Sequence, residues 1–321
     1  MNHLVSIIVV TYNSSKFIEE TLVSIAAQTW PELELIVTDD CSTDNTVELY
    51  RKWLQQNQQR FVRTELITVE KNTGISANCN RGLQAAKGEW IHFCAGDDVF
   101  LPNCITDNMD YISHNPETRI LFSYCRKYAE PFEEKNFLGL APGSPPLNII
   151  NDTITAESQY RLLLLSDRIT FTPSSFIHRE TQLSIGAFDE KNRFQEDYPL
   201  WLKLTKSGHK LNFMEKETVK YRQHGQATNN MAVNYLIKPN YFRTEDFRRE
   251  FIYPELPWDI RWNARLGWYA SQVFRWDWLN RNKKSNRLLL ALLTSWINPF
   301  KFYIYFKKRL VKNIKNAEFY Q

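Results

Sequence analysis

The sequence predicts an α/β protein, with a mostly parallel sheet flanked by helices and a helical C-terminal extension. Segments typical of strands and helices alternate through the first hundred residues, as in βαβ units whose parallel sheet is covered on both faces. Hydrophobic residues make up 43% of the 321 residues, which is enough for a sizeable core. After about Asn230 the sequence becomes helical, aromatic and basic, and six of the ten tryptophans lie beyond residue 250. We therefore expect one domain over residues 1–230 and a second, helical region over residues 231–321.

The individual elements are predicted from local patterns. "VSIIVV" is a β-branched run typical of a buried strand, and "STD" at 42–44 offers capping side chains before a helix. Strands are expected at 5–10, 33–39, 64–70 and 88–95, and helices at 16–28, 42–56 and 75–86. Residues 130–151 are rich in Pro and Gly and are expected to form a linker or a lid. Further helical segments are expected at 156–165, 172–180, 186–190 and 196–209.

Composition excludes several classes of protein. The formal charge of +4 does not by itself indicate nucleic-acid binding. Five scattered cysteines without a CxxC pair are typical of reduced thiols in a cytoplasmic protein. The N-terminal run resembles a buried strand more than a signal peptide, and the longest apolar stretch, 288–297, is about half a membrane span. We expect a cytoplasmic protein without a bilayer-spanning segment.

Three polar clusters follow predicted strands: "TYN" at 11–13, "DDCSTD" at 39–44 and "AGDD" at 95–98. In an open α/β sheet, ligands bind beyond the carboxyl ends of the strands, so these clusters together favour a ligand site. Asp97 and Asp98 offer the oxygen ligands that Mg²⁺ or Mn²⁺ prefers. The alternative for any one cluster is a turn or a helix cap, since Gly, Asp and Ser favour both.

Two common nucleotide-binding motifs are absent from the sequence. The chain contains neither G-x-x-x-x-G-K-[ST] nor a G-x-G-x-x-G after its first strand, which argues against a P-loop and an ordinary dinucleotide fold. A nucleotide would instead be held by carboxylate and amide contacts, with a metal on its diphosphate.

The order and spacing of five motifs resemble family 2 glycosyltransferases, which have the Rossmann-like GT-A fold. The motifs are "SIIVVTYNSSKFIEETLVSIAAQTW", "LELIVTDDCSTDNT", "EKNTGISANCNRGLQAAKGEWIHFCAGDDVFLP", "GAFDE" and "EDYPLWLKL", and the resemblance covers roughly residues 4–225. It implies a nucleotide-sugar donor, a divalent metal and transfer with inversion at the anomeric carbon.

The resemblance also implies roles for residues at the nucleotide site. Thr11 and Tyr12 would line the nucleotide pocket, and Asp40 would accept a hydrogen bond from the base, which favours uridine because its imide N–H matches a carboxylate. Gly74 and Asn80 would face the nucleotide. The sequence departs from the family at Cys79, where an arginine is common, and Arg81 is the candidate substitute.

The metal and catalytic positions follow in the same way. Ala95 stands where the family's first metal-binding acid is usual, which leaves Asp97 and Asp98 as metal ligands, with Asp97 also facing the donor. The "YRQHG" motif places His224 as a further metal ligand. Asp197, with Glu196 beside it, would be the catalytic base that takes the acceptor's proton. The alternative is that this acid, followed by Pro199, only begins a helix.

The remaining expectations concern partners. The Q-x-x-R-W signature of processive relatives is missing, so one sugar is transferred per encounter. The aromatic and basic run 299–321 suits either a peripheral contact with the inner face of the plasma membrane, together with a lipid-linked glycan acceptor, or a homodimer contact. No nucleic acid is expected. The rival functions are a nucleotidyltransferase, which lacks its glycine-rich loop here, and an inactive module that binds nucleotide sugars.

Overall fold

The computed structural model describes residues 3–143, 148–192, 195–223, 235–311 and 317–320. The chain divides into two compact units. The N-terminal unit comprises Met1–Leu163 and Asp167–Gln223, and the C-terminal unit comprises Leu164–Ser166 and His224–Gln321. The domain boundary predicted at residue 230 lies outside the described residues, so it stays a prediction.

A curled, mostly parallel sheet flanked by helices forms the N-terminal unit, which confirms the predicted fold class. Its strands are β1 (Val5–Thr11), β2 (Leu33–Asp39), β3 (Arg63–Thr68), β4 (Trp90–Ala95), β5 (Val99–Phe100), β6 (Ile120–Ala129), β7 (Phe137–Ala141), β8 (Phe176–His178) and β9 (Leu211–Gln223). The strand order is β3-β2-β1-β4-β8-β6-β9-β5, and β7 pairs with β6. The pairs β3-β2, β2-β1, β1-β4 and β6-β9 are parallel. The pairs of β8 with β4 and β6, of β7 with β6 and of β5 with β9 are antiparallel.

The central strands are buried along their whole length, as expected for a parallel sheet covered on both faces. Glu34 of β2 is a charged residue among these buried strands, and its side chain is fully buried. Its carboxylate accepts hydrogen bonds from the Ser6 hydroxyl and from the Lys87 N–H at 2.8 Å, and it forms an ion pair with Arg63. These partners compensate the desolvation of the charge.

The helices of the N-terminal part are α1 (Ile18–Ala26), α2 (Thr46–Asn57), α3 (Ile75–Ala85), α4 (Cys104–His114), α5 (Ala156–Leu165), α6 (Arg179–Ser184) and α7 (Asp197–Lys206). Helix α3 packs closely on β1 through Gly82. A Cβ built at Gly82 would lie 2.4 Å from Cγ2 of Ile8, so this contact admits no larger side chain without movement. Because α3 begins at the edge of the sheet, its close packing also positions the loop that precedes it.

Three predictions of local structure were wrong. The helix predicted at 172–180 is a short 3₁₀ turn at Thr172–Ser174 followed by β8, because Phe176–His178 pairs with β4 and β6 in the sheet. The segment 186–190 is a turn, with Gly186 and Ala187 at positive φ. The loop predicted at 130–151 contains β7, which forms an antiparallel pair with β6.

The C-terminal unit is helical, as predicted. Its helices are α8 (Pro239–Phe247), α9 (Trp258–Gln272), α10 (Lys284–Ala291) and α11 (Pro299–Leu310), and π-helical turns cover Arg248–Ile252 and Leu292–Trp296. Asp259 of α9 is fully buried and accepts hydrogen bonds from Lys307 at 2.7 Å and from the Tyr320 hydroxyl at 2.9 Å. Among the described residues, no helix combines the length and apolar character needed to cross a membrane.

Candidate active site

The three polar clusters lie at one edge of the sheet. The register pairs Thr11 with Asp39 and Val10 with Ala95, so β1, β2 and β4 end side by side. The Asp40 N–H donates to the Thr11 carbonyl, and the Gly96 N–H donates to the Val10 carbonyl, each at 3.0 Å. The structure therefore brings "TYN", "DDCSTD" and "AGDD" together, as the sequence predicts.

Thr11 and Asp39 organise the start of this edge. The buried Asp39 carboxylate accepts hydrogen bonds from the Thr11 hydroxyl at 2.8 Å, the Ser42 N–H at 2.8 Å and the Ser42 hydroxyl at 2.5 Å. The Thr11 hydroxyl thus holds the loop after β2, whereas Tyr12 is exposed. Of the two residues predicted to line a pocket, Tyr12 is the one whose side chain is accessible.

Asp40 is the most heavily hydrogen-bonded acid of the edge. Its buried carboxylate accepts from the N–H and hydroxyl of Thr73, from the Gly74 N–H and from Arg81, at 2.7–3.0 Å. Burial would raise the pKa of Asp40, but these hydrogen bonds outweigh it and hold the pKa below its ordinary value. A direct contact with a base would require one of these donors to move, so the predicted contact of Asp40 with uridine stays a prediction.

Gly74 and Arg81 complete this arrangement. Gly74 has φ 95° and precedes α3, a left-handed conformation that glycine adopts without a Cβ clash. Arg81 also donates to the Thr73 hydroxyl and to Asn78 Oδ1, at 2.7 and 2.9 Å. Arg81 therefore acts as the fixed partner of Asp40, and its role as the substitute for the arginine missing at Cys79 stays a prediction.

Asn80 makes its side-chain contacts at the "GAFDE" turn. Its side-chain amide donates to the Phe188 carbonyl and to Glu190, and its Oδ1 accepts from the Phe188 N–H, all at 2.8–3.0 Å. Asn80 is buried. Asn80 therefore joins α3 to the "GAFDE" turn, and its nucleotide-facing role stays a prediction.

Asp97 and Asp98 differ in their surroundings. Asp98 is buried, and its Oδ1 accepts from the Arg222 N–H of β9 at 2.8 Å. Burial, together with the neighbouring Asp97, raises the pKa of Asp98 well above its ordinary value. Asp97 is partly exposed. Asp98 thus orders the turn, whereas the side chain of Asp97 is partly accessible. The roles of both as metal ligands stay predictions.

Arg222 holds this turn and was not singled out from the sequence. Its buried guanidinium donates through Nε to the Asp97 carbonyl at 2.8 Å and pairs with Glu20 of α1. It also lies 4.4 Å from the ring centre of Phe17 and 3.9 Å from that of Phe132. The only local signal for this role is its place in "YRQHG", two residues before the predicted histidine ligand.

A complete metal site is not formed by the described residues. His224, the further predicted ligand, lies outside them. Within the described ranges, no three His, Cys, Asp or Glu side chains come together in a way that could hold a cation. Asp97 fits a hard divalent cation as a single oxygen ligand, and such ions often complete their shell with phosphate oxygens and water.

Glu196 and Asp197 lie at the start of α7. Asp197 accepts hydrogen bonds from the Tyr198 N–H at 2.7 Å and from the Thr172 hydroxyl at 3.0 Å, so both of its oxygens are positioned. Loss of water around the pair raises the pKa of Asp197, and the same loss together with the charge of Asp197 raises the pKa of Glu196 to about 8. Thr172, which the sequence did not single out, fixes one oxygen of the predicted base.

The acid pair Glu196 and Asp197 acts electrostatically on Cys79 of α3. Burial of Cys79 and the charges of Glu196 and Asp197 raise the pKa of its thiol, while the nearby Arg81 lowers it. The hydroxyl of Ser76 donates to the Asn192 carbonyl at 2.7 Å. The predicted base therefore acts electrostatically on the helix that follows Thr73 and Gly74, the residues whose N–H groups bind Asp40.

Comparison with known proteins identifies the domain. Residues 6–162 match the sequence model of the family described as Glycosyl transferase family 2. The chain carries a family 2 glycosyltransferase domain. This confirms the resemblance drawn from the five motifs.

Related glycosyltransferases extend the match beyond the domain. An uncharacterized glycosyltransferase of Haemophilus influenzae is 29% identical over 232 residues, which cover 71% of this chain and 68% of the relative. The poly(ribitol-phosphate) beta-N-acetylglucosaminyltransferase TarS of Staphylococcus aureus is 31% identical over 192 residues, 59% of this chain and 33% of TarS. The aligned region is thus only a third of the length of TarS.

Solved structures support the GT-A fold of the glycosyltransferase domain. S. aureus TarS 1-349 in complex with UDP-GlcNAc has a TM-score of 0.60 at 18% identity, covering 90% of this chain and 79% of that chain. The mannosyltransferase PcManGT of Pyrobaculum calidifontis, in complex with GDP-Man and Mn²⁺, has a TM-score of 0.51 at 18% identity. The match covers 99% of this chain and 78% of that chain. Because both structures are only 18% identical to this chain, the similarity shows the fold alone.

Proposed function

We propose that this glycosyltransferase is inverting and metal-dependent, and that it transfers a single hexose-type sugar from a nucleotide sugar to a hydroxyl of a glycan acceptor. The observation that carries the proposal is the position of Asp197, whose two oxygens are held by Thr172 and by the first turn of α7. A fixed carboxylate with a raised pKa is suited to take a proton from a hydroxyl.

The chemistry is a single displacement. The Asp197 carboxylate takes the proton of the acceptor hydroxyl while the hydroxyl oxygen forms a bond to the anomeric carbon. The bond from that carbon to the diphosphate breaks on the opposite face, and its electron pair leaves with the nucleoside diphosphate. Glu196, with a pKa of about 8, stays largely protonated at neutral pH and so adds little negative charge beside Asp197.

The donor would bind at the edge formed by β1, β2 and β4. Tyr12 offers an exposed ring, and Asp40 with Gly74 shapes the loop that would receive the base. Uridine is the proposed nucleoside, since TarS has been solved with UDP-GlcNAc and a carboxylate matches the uracil imide. Asp97 and His224 would hold Mn²⁺ or Mg²⁺, which when bound offsets charge on the diphosphate.

The acceptor belongs to the same proposal. TarS, by its name, acts on a poly(ribitol-phosphate), and a surface polysaccharide such as O-antigen, built in bacteria on a lipid carrier, is the acceptor class that we propose here. The enzyme would then work in the cytoplasm, at the inner face of the plasma membrane. Residues 1–230 would form the catalytic domain and residues 231–321 the accessory region.

Replacing Asp197→Asn tests the proposed base. With UDP-sugars and Mn²⁺, the variant should bind donor with unchanged affinity and lose transfer, because the amide cannot accept the proton. Glu48→Gln, an exposed acid on α2, is the matched control and should retain full turnover. Unchanged turnover in Asp197→Asn would overturn the assignment.

The released product separates the rival functions. A glycosyltransferase releases nucleoside diphosphate, a nucleotidyltransferase releases pyrophosphate, and an inactive binding module releases neither while still being stabilised by donor. The anomeric configuration of the product, measured by NMR, tests inversion: retention of configuration would contradict the single displacement.

A further inference from the structure

The C-terminal unit exposes two stripes of large apolar side chains, here called the apolar stripes. The first comprises Leu288, Leu292 and Trp296, from α10 and the π-helical turn after it, and the second comprises Phe302, Phe306 and Leu310 of α11. These six side chains are between 41% and 77% exposed. Because residues four apart lie on one side of a helix, each stripe forms a continuous face.

The opposite side of α11 is fixed to the C-terminal unit. Phe300 stacks on Trp262 with ring centres 6.1 Å apart, and Lys307 donates to the buried Asp259 at 2.7 Å. Phe300, Ile304 and Lys307 are all less exposed than the stripe. The helix is therefore anchored along its inner side, while its aromatic outer side faces away from that anchor.

The segment of sequence that carries the apolar stripes has charge of one sign. The chain as a whole has 40 basic and 36 acidic residues, yet the sequence from Trp278 to Ala317 contains no Asp or Glu. Its basic residues are Arg281, Lys283, Lys284, Arg287, Lys301, Lys307, Lys308, Arg309, Lys312 and Lys315. Exposed aromatic side chains among lysines and arginines are typical of segments that lie in the headgroup layer of an anionic membrane.

The charge also argues against the main alternative occupant. Two copies of this chain meeting through the apolar stripes would bring two acid-free basic segments together, and that repulsion is unfavourable. An anionic lipid surface provides both an apolar layer for the rings and a negative charge for the lysines. Charge complementarity thus selects the membrane over a second copy.

We propose that the two apolar stripes and the basic side chains beside them seat the C-terminal unit in the headgroup layer of an anionic membrane. The stripes enter the boundary between headgroups and acyl chains. Lys284, four positions before Leu288, and Arg309, three positions after Phe306, are exposed beside the stripes and contact lipid phosphates. That this contact brings the enzyme to a lipid-linked acceptor rests on the proposed function. Membrane binding itself does not depend on that function.

Vesicle flotation of the full-length chain tests the proposal without donor or acceptor, so its outcome is independent of the chemistry at Asp197. The chain should float with vesicles of phosphatidylcholine and phosphatidylglycerol, less with phosphatidylcholine alone, and less at high salt. The double variant Phe302→Ser with Phe306→Ser should bind about tenfold more weakly or worse, because two rings no longer leave water. Lys284→Glu with Arg309→Glu should lose binding to the anionic vesicles.

Matched controls come from the N-terminal unit. Val23→Ser with Val62→Ser removes equally exposed apolar side chains, and Lys52→Glu reverses an exposed lysine; both should float as the unchanged chain does. Since every substituted side chain is exposed, the melting temperatures of the variants should match.

Three outcomes would overturn the proposal. The first is no flotation with anionic vesicles, and the second is equal flotation of the stripe variants and the controls. The third is a sedimentation result in which the unchanged chain is a dimer, the Phe302→Ser and Phe306→Ser variant is a monomer, and neither binds vesicles. That last result would assign the stripes to a homodimer contact.

Discussion

Arg222→Met is the perturbation that most directly tests how the acidic turn at the sheet edge is held. The guanidinium is buried, donates to the Asp97 carbonyl at 2.8 Å and lies between the rings of Phe17 and Phe132. Methionine fills much of the space between the rings but carries neither the charge nor the donor. The Arg222 N–H, which holds Asp98, remains in the variant, so the effect reports on the side chain alone.

The magnitude follows from the contacts that are lost. A hydrogen bond from a charged donor contributes about 1.5–3 kcal/mol, and the two ring contacts together contribute about 1–2 kcal/mol. The ion pair adds little, about 0–1 kcal/mol, because Glu20 is half exposed. Methionine avoids the desolvation cost of a buried guanidinium, which offsets part of the loss. We expect a net loss of about 2 kcal/mol in the free energy of unfolding.

Urea unfolding followed by tryptophan fluorescence measures this loss, and titration of Mn²⁺-dependent donor binding measures its effect on Asp97. Arg222→Lys keeps the charge but lacks the planar guanidinium. Its stability should lie between those of the unchanged chain and of Arg222→Met. Arg281→Met is the matched control, because its pair with Asp277 is exposed, and its stability should equal that of the unchanged chain. The reasoning is refuted if Arg222→Met unfolds at the same urea concentration as that control and binds metal and donor normally.

Three further predictions concern other parts of the chain. Gly82→Ala places a Cβ 2.4 Å from Ile8 and should lower the unfolding free energy by about 1–3 kcal/mol, measured by urea unfolding; an unchanged midpoint would show that α3 can shift. Asp259→Asn weakens the pairing of Lys307 and Tyr320 and should cost about 2–4 kcal/mol, seen as a lower melting temperature, whereas an unaltered melting curve would contradict it. Glu196 has a pKa raised from 4.5 to about 8, so its stabilising contribution is complete below about pH 4.5 and is lost as the pH rises through 8. Stability should therefore fall from pH 5 to pH 8 more steeply in the unchanged chain than in Glu196→Gln; equal slopes would show that burial does not shift this group.

Local sequence determined a large part of the fold and of the site. The apolar runs of β1, β2 and β4 predict buried strands from local sequence alone, because burial on both faces requires continuous hydrophobic sequence. Since parallel strands end at a common edge, the sequence alone suffices to place "TYN", "DDCSTD" and "AGDD" together. The aromatic and basic composition after residue 230 likewise suffices to predict the helical C-terminal unit.

Tertiary structure alone decided how the polar side chains at that edge are used. The side chain of Asn80 binds the "GAFDE" turn more than a hundred residues away. Arg222 reaches the Asp97–Asp98 turn across a similar distance along the chain. The strand Phe176–His178 exists because β4 and β6 provide pairing partners, not because of its own pattern. In each case the deciding hydrogen bonds join residues far apart in sequence, and local propensity carries no information about such partners.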